Sequence, residues 1–486
     1  MTTVIKVQNC YSWLTSDDEE TKLKLWRALR HRERNYFHST LYKQKKWDGF
    51  TEFYKKASGR FLTGLLPEVE AALDYWKVPY QIQDGRTSLK WRFSEVGEDF
   101  LNQWLDDFNS NVAPGDRIDQ FTLRDYQPEL TNGIIRHNRG VIQAPTSAGK
   151  TAIMVSILKA LPQNTPTLIL ANRKSLCDQN YKEMVNWGFD NVGRLYDKFV
   201  EPNMFTVATW QSVHKIDRLL PKIKALVVDE IHDMMSKGPK KVYNKLKCCS
   251  VRVAVSATPF KFGGKDRTQK YAVKGYFGPV MKAKSAGDKG VLTTEVLQKR
   301  KILSPSKCIF YPVTHPELKY EVYLDAVTKG IAENWDFHKT VARLVKSLKG
   351  RTLILVERLA HGDHLESLIP GALWVRGQDN LDTRNYVIEE LKKSQDDTVA
   401  IATQGIFNAG INVFVHNLVN AAGGQADHQI VQRMGRGLRT AKDKERLNYY
   451  DFVFRINDYL VAHSLKRIKI LKDEGHDVTV KKEIDF

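Results

Sequence analysis

The chain has 486 residues, 42% of them apolar and 27% charged, and its 75 Lys and Arg outnumber 56 Asp and Glu for a formal net charge of +19. That length is too great for one ordinary core and suggests about three domains, while apolar runs no longer than a strand argue against a membrane span, which needs roughly 20 residues. A charge this large repels itself in the compact state, so a polyanionic partner is the simplest reason to carry it.

The opening stretch, MTTVIKVQNCYSWLTSDDEE, lacks the basic flank and apolar run of a secretory signal, and a cytoplasmic protein is expected. Cys10, Cys177, Cys248, Cys249 and Cys308 are scattered without a CxxC pair, which predicts reduced thiols and neither a zinc site nor a disulfide framework. Between His31 and Leu73 the rings of Tyr36, Tyr42, Trp47, Phe50, Phe53 and Tyr54 alternate with many Lys and Arg. Exposed rings on a basic surface hold phosphates and stack bases, which nominates Lys45, Lys46 and Trp47 as nucleic-acid contacts. A domain this small equally needs its rings for a core. The stretches TEFYKK and GRFLTG on either side of Ser58-Gly59 predict a hairpin, followed by a helix from Pro67. The turn-rich NVAPGDR, Asn111 to Arg117, reads as a seam closing an N-terminal domain of residues 1–115.

From Val141 onward, VIQAP, TLILAN, FTVAT, ALVVDE and VRVAVSATP read as buried strands separated by helical segments, the pattern of a parallel sheet with crossover helices. After a helical stretch from about Glu317 to Leu348 the pattern restarts with TLILVE, ALWVRG, TVAIAT and LVNAAG, a second α/β sheet. A linker is expected near Pro305 to Pro316, giving domains of 116–310 and 311–486.

Strand VIQAP runs into Ala144, Pro145, Thr146, Ser147, Ala148, Gly149, Lys150 and Thr151, then into an apolar helix. This fits a phosphate-binding loop with Ala in place of the first Gly. Such a loop aims backbone N–H groups and a helix N-terminus at phosphate oxygens, with Lys150 adding charge and Thr151 a magnesium ligand. The acidic pair that such a site requires stands at the end of ALVVDEIH: Asp229 to hold Mg2+ and Glu230 to polarise the attacking water. In FTLRDYQ, the amide of Gln127 matches the donor and acceptor of adenine, favouring ATP over GTP.

The ordered set LRDYQ, APTSAGKT, LILANRKSLCDQ, VATWQSV, DEIH, SATP, IATQGIFNAGIN and QRMGRGLR resembles the motif series of superfamily 2 helicases of the DExH kind, over about residues 121–440. The resemblance implies two tandem RecA-like P-loop domains that hydrolyse ATP in the cleft between them. It assigns Ser256 and Thr258 to coupling, Arg173, Thr209, Gln211 and Gln404 to the nucleic-acid strand, and Gly410 to the nucleotide, with Asn412 where Asp is more usual. On a helix Gln432, Arg436 and Arg439 share one face and can converge on the γ-phosphate, while Arg433 contacts nucleic acid.

The WDG at 47–49, the hairpin, the GLLP at 64–67 and the helix after it, ahead of a compact DExH core, resemble the N-terminal domain of bacteriophage UvsW recombination helicases, with XPB-like motors more distant. The C-terminal LNYYDFVFRINDYLVAHSLKRIKILKDEG resembles the end of that group's second domain. This implies an ATP-dependent DNA helicase or translocase that remodels branched DNA by junction migration, fork regression and R-loop unwinding. The partners implied are DNA, branched or duplex-containing, and phage or host recombination and replication proteins, with no membrane. A monomer in the host cytoplasm is expected. An RNA helicase and the translocating subunit of a restriction complex are the alternatives. Removal of residues 1–115 is expected to weaken branched-DNA binding and its salt dependence and to spare basal ATPase activity.

Overall fold

The structure, a computed structural model, describes residues 3–260, 266–284, 290–314, 319–376, 397–404, 415–423 and 445–486, and also 378, 379, 383, 386, 387, 389–391, 434 and 438. The chain divides into two compact units whose main boundary falls between Val291 and Leu292.

Seven short strands open the first unit: β1 (Thr3–Val7), β2 (Tyr11–Thr15), β3 (Arg30–Arg32), β4 (Phe50–Glu52), β5 (Tyr54–Lys55), β6 (Arg60–Leu62) and β7 (Tyr80–Asp84). Five of them form a mixed sheet in the order β5-β6-β2-β1-β7, and β3 pairs with β4. The expected hairpin is β5–β6, with Tyr54 opposite Phe61. The helix after it, Leu66–Tyr75, buries Leu66, Val69 and Leu73, spaced to face the sheet along one stripe.

The motor sheet follows, built from β8 (Arg139–Gln143), β9 (Thr167–Ala171), β10 (Val192–Leu195), β11 (Phe205–Thr209), β12 (Ala225–Asp229), β13 (Val251–Ser256) and β14 (Val280–Lys282). These run in the order β10-β11-β9-β12-β13-β8-β14, every pair parallel. The central strands β9, β12 and β13 are buried at every position, as a sheet covered on both faces requires. The edge strands β10 and β14 escape sequence reading because VGRL and VMK are too short and too polar to show a period.

The N-terminal sheet and the motor sheet share a single hydrophobic core, in which Ile5, Leu14, Phe61 and Leu65 join Val228, Tyr243, Val273 and Phe277. Polar contacts fasten the same seam: Arg139 donates to the carbonyl of Asn9 (2.8 Å), Asn9 Nδ2 to that of Lys247 (3.2 Å), and Tyr11 to Asn244 Oδ1 (2.7 Å). At Gly64 the backbones meet so closely that an added Cβ would lie 2.1 Å from the Lys274 carbonyl oxygen. Residues 86–111 also pack on the motor: Trp91 donates to Asn138 Oδ1 (2.7 Å), and Phe108, on the helix Leu105–Asn111, meets Trp187 with ring centres 4.7 Å apart. The N-terminal segment therefore packs within the first unit and shares its core.

The second unit has its own seven-stranded parallel sheet, of β15 (Ser306–Val313), β16 (Thr352–Val356), β17 (Leu373–Val375), β18 (Val399–Thr403), β19 (Asn417–Asn420), β20 (Leu447–Phe454) and β21 (Asp477–Val480), in the order β17-β18-β16-β19-β20-β15-β21. The residues expected to be a linker, Pro305 to Pro316, are instead mostly strand β15. Pro312 is tolerated there because β21 pairs only as far as Phe310, leaving that flank without a neighbouring strand where the missing N–H would be needed. Ahead of β16 the expected helical stretch is a short helix, Tyr323–Val327, a π turn, and the long helix Trp335–Ser347 capped by the Asn334 side chain. Inside, Arg467 makes two 2.8 Å bonds to the carboxylate of Asp451, which also accepts from Tyr449 (2.6 Å) and Asn420 (2.9 Å). Both charges are fully buried, and every carboxylate oxygen is satisfied.

Candidate functional site

Strand order explains how distant motifs meet. β13 lies between β12 and β8, with Asp229 opposite Val255 and Ser256 opposite Gln143. The carboxyl ends of these three parallel strands therefore put the acidic pair, Ser256 and Ala144, where the loop begins, side by side at the sheet edge where open α/β folds bind ligands. Ala144 N–H donates to the Ser256 carbonyl (3.3 Å), pinning the start of the loop to β13. The loop turns through left-handed backbone at Ser147 (φ 64°) and Gly149 (φ 79°) before the helix Lys150–Ala160. At Gly149 there is also no room for a side chain: a Cβ would lie 2.2 Å from Gln127 Nε2.

Lys150, largely buried, holds its ammonium 3.9 Å from Glu230 Oε1. Asp229 is buried, and desolvation followed by repulsion from Glu230 pushes its carboxyl up to about 6; Lys150 and a hydrogen bond from Asn180 act in the opposite sense. Glu230 sits in left-handed backbone (φ 51°), a strained position for a residue with a Cβ, and turns its side chain toward β13. There the Ser256 hydroxyl donates to Glu230 Oε2 (3.0 Å), accepts from Thr258 N–H (3.1 Å), and lies 3.0 Å from His232 Nδ1. Since the one hydroxyl hydrogen goes to Glu230, the His232 contact requires the hydrogen on Nδ1.

Gln127 is buried on the helix Tyr126–His137, where its Oε1 accepts from Arg124 N–H (2.8 Å) and its Nε2 lies 3.4 Å from the Gly149 carbonyl oxygen. Thr151 follows Lys150 in the first turn of its helix and is partly exposed. Arg173 caps the helix Lys174–Asn186, and Thr209 ends β11 with its hydroxyl 3.0 Å from Ser212 Oγ. The two segments are joined by Trp210 Nε1 donating to Asn172 Oδ1 (3.2 Å), which leaves Gln211 exposed beside them. In the second unit Gln404 follows the end of β18. Gly410, Asn412, Gln432, Arg433, Arg436 and Arg439 lie outside the described residues. In the N-terminal sheet region Phe53 and Tyr54 are core, whereas Lys45 and Lys46 are exposed and Trp47 half-buried.

Asn180 was not legible as a site residue. It sits two turns into an amphipathic helix, and only the fold brings its amide 3.4 Å from Asp229 Oδ2. Among the described residues, no group of three or more His, Cys, Asp or Glu could hold a metal by itself, and all five cysteines are free. No helix among them is long and apolar enough to cross a membrane.

A family model described as type III restriction enzyme, res subunit, matches residues 120–261. The DNA 3'-5' translocase XPB2 of Sulfurisphaera tokodaii is 25% identical over 412 residues, 74% of this chain and 89% of that one. Among solved structures, the chain is similar to T4 UvsW, at 19% identity and a TM-score of 0.47 over 99% of each chain. It is also similar to S. cerevisiae Dbp5 bound to RNA and ADP BeF3, at 17% identity and a TM-score of 0.52 over 77% of this chain and 92% of that one, a likeness of fold. A phosphate loop, an Asp-Glu-x-His turn and a Ser-Ala-Thr segment brought to one sheet edge, ahead of a second parallel sheet and together with the matched family model and the translocase relative, make the chain an ATP-dependent helicase of superfamily 2.

Proposed function

We propose that this helicase is a DNA-stimulated translocase that remodels branched DNA, and that its hydrolytic centre is built on Lys150, Asp229 and Glu230. The observation that carries the reading is the buried cluster in which the Lys150 ammonium faces the acidic pair at the mouth of the phosphate loop. A largely buried cation and two carboxylates fit a triphosphate and its metal: Thr151 and Asp229 would hold Mg2+, which supplies charge neutralisation at the phosphates. The Thr146 hydroxyl, buried without a protein partner among the described residues, suits the same polar cradle. Lys150 grips phosphate, Glu230 orients and polarises the attacking water, and Ser256 carries the position of Glu230 to Thr258 and the adjoining loop. Gln432, Arg436 and Arg439 are proposed as the residues of the second unit that complete hydrolysis, and Gln127 as the adenine contact.

DNA as the polyanion is supported by the net charge of +19 and by the translocase relative, which is named for DNA. The branched substrate and the setting in phage recombination rest on the WDG, GLLP and C-terminal stretches. The match to a restriction-enzyme subunit supports a second reading, a translocating subunit that works with a partner on duplex DNA. ATP hydrolysis compared across single strands, duplex, a four-way junction, an R-loop and structured RNA separates these readings. Stimulation greatest on the junction or R-loop supports the first; equal stimulation on any long duplex supports the second; stimulation by RNA alone overturns both. Lys150→Ala should abolish turnover in all cases while DNA affinity holds, and strong residual turnover would remove Lys150 from the centre.

A further inference from the structure

We infer that the N-terminal domain carries a pocket for an unstacked base of single-stranded DNA, formed by Phe37, Tyr42 and Trp47 and ringed by Lys43, Lys45 and Lys46. This rests on the DNA reading above and adds to it a stated site. An open depression of about 800 Å³ lies beside the β3–β4 ribbon, lined by these three rings and three lysines together with Asp48. The carboxylate of Asp48 is already paired with Arg30, so it does not answer the lysine charge.

Two features favour a nucleic-acid strand here. Lys43, Lys45 and Lys46, adjacent on one surface, have no carboxylate within 4 Å among the described residues, whereas Lys22, Lys24, Lys55 and Lys56 each lie within 3.6 Å of a glutamate oxygen. Three neighbouring cations left unneutralised suit a row of phosphates. The rings are also held ready. Trp47 is fixed by its indole N–H donating to the Phe50 carbonyl (2.7 Å), and Tyr36 stands edge-on to both Phe37 (5.7 Å) and Tyr42 (4.6 Å). Phe37 nevertheless remains 49% exposed. A duplex keeps its base faces stacked and presents a convex row of phosphates, so rings recessed in a concavity gain nothing from it. An unpaired base can enter and stack, with its flanking phosphates on the lysines.

The test uses the full chain and three probes of equal length: a single strand carrying 2-aminopurine, the same strand with abasic positions, and a blunt duplex. Trp47→Ala is expected to weaken the intact single strand roughly tenfold, as loss of one stacked base would. It should abolish the 2-aminopurine quenching and leave abasic strand and duplex unchanged, while Trp47→Phe retains most of the affinity. Lys45→Ala with Lys46→Ala should weaken all three probes and flatten the salt dependence. Equal losses from Trp47→Ala on duplex and single strand, or an abasic strand bound as tightly as the intact one by the unaltered chain, would overturn the pocket. DNA binding that is intact in Trp47→Ala would overturn the pocket and leave the translocase reading standing; an unaltered chain that binds no DNA at all would overturn both.

Discussion

Asp229 is balanced between four influences: its own burial, Glu230 beside it, Lys150 after the phosphate loop, and Asn180 from the helix that follows Arg173. The last is the informative one, because the same rigid helix begins at an expected strand-contacting residue and reaches an expected metal ligand two turns later. Asn180→Ala should lower kcat about three- to tenfold, the value of one ordinary hydrogen bond, as befits a contact of 3.4 Å. It should also raise the magnesium concentration needed for half-maximal turnover. If turnover and magnesium requirement are unchanged, the 3.4 Å contact does not position the carboxylate. Ser256→Ala would strip Glu230 Oε2, His232 Nδ1 and Thr258 N–H of one shared partner, and a destabilisation of about 1–3 kcal/mol is expected by denaturant titration.

The helix Trp335–Ser347 and its neighbour Leu359–Leu368 bury histidines against the second sheet. His338 and His361 stack with centres 4.7 Å apart, His338 bonds the Ile331 carbonyl (3.0 Å), and His476 bonds Ser306 (2.7 Å). Burial lowers His338 and His476 to about 4 and holds His361 well below its ordinary value, the His338 and His364 rings adding to the effect there. A histidine whose folded value is depressed contributes stability above its unfolded value of about 6.5 and loses it as pH falls toward the folded value. The second unit should therefore lose up to about 1.4 kcal/mol per pH unit for each such histidine between roughly pH 6.5 and 4. Hydrogen exchange at Ile354 in β16 across that range measures it, and His361→Leu should shallow the slope by one histidine. A slope that His361→Leu leaves alone would mean the acid sensitivity lies elsewhere.

At the scale of the whole first unit, the seam between the N-terminal and motor sheets decides what truncation does. Removal of residues 1–115 is expected to lower stability and basal ATPase activity together, because Ile5, Leu14, Phe61 and Leu65 belong to the core that also supports β12. Cutting there would expose apolar surface and leave the buried Arg139 without its Asn9 partner. Gly64→Ala tests the seam with one methyl group: the Cβ would overlap the Lys274 carbonyl, and a loss of about 2–4 kcal/mol is expected. Thermal melting and basal turnover should fall together. Full activity with an unchanged melting temperature would show that the two sheets tolerate separation.

What the residues determined on their own is local and periodic. The buried parallel strands β9, β12, β16 and β18 are nearly continuous apolar runs; the phosphate loop and the Asp229-Glu230 turn are short segments whose chemistry depends on neighbours in sequence. The hairpin β5–β6 follows from its turn. The tertiary structure decided everything that depends on which strand lies beside which: Ser256 reaching Glu230, Asn180 reaching Asp229, and Trp210 reaching Asn172. It also decided the edge strands, the conversion of an apparent linker into β15, and the division of the N-terminal rings between core and surface. A period in sequence reports that a face is buried but carries no address for what buries it, and packing alone supplies that address.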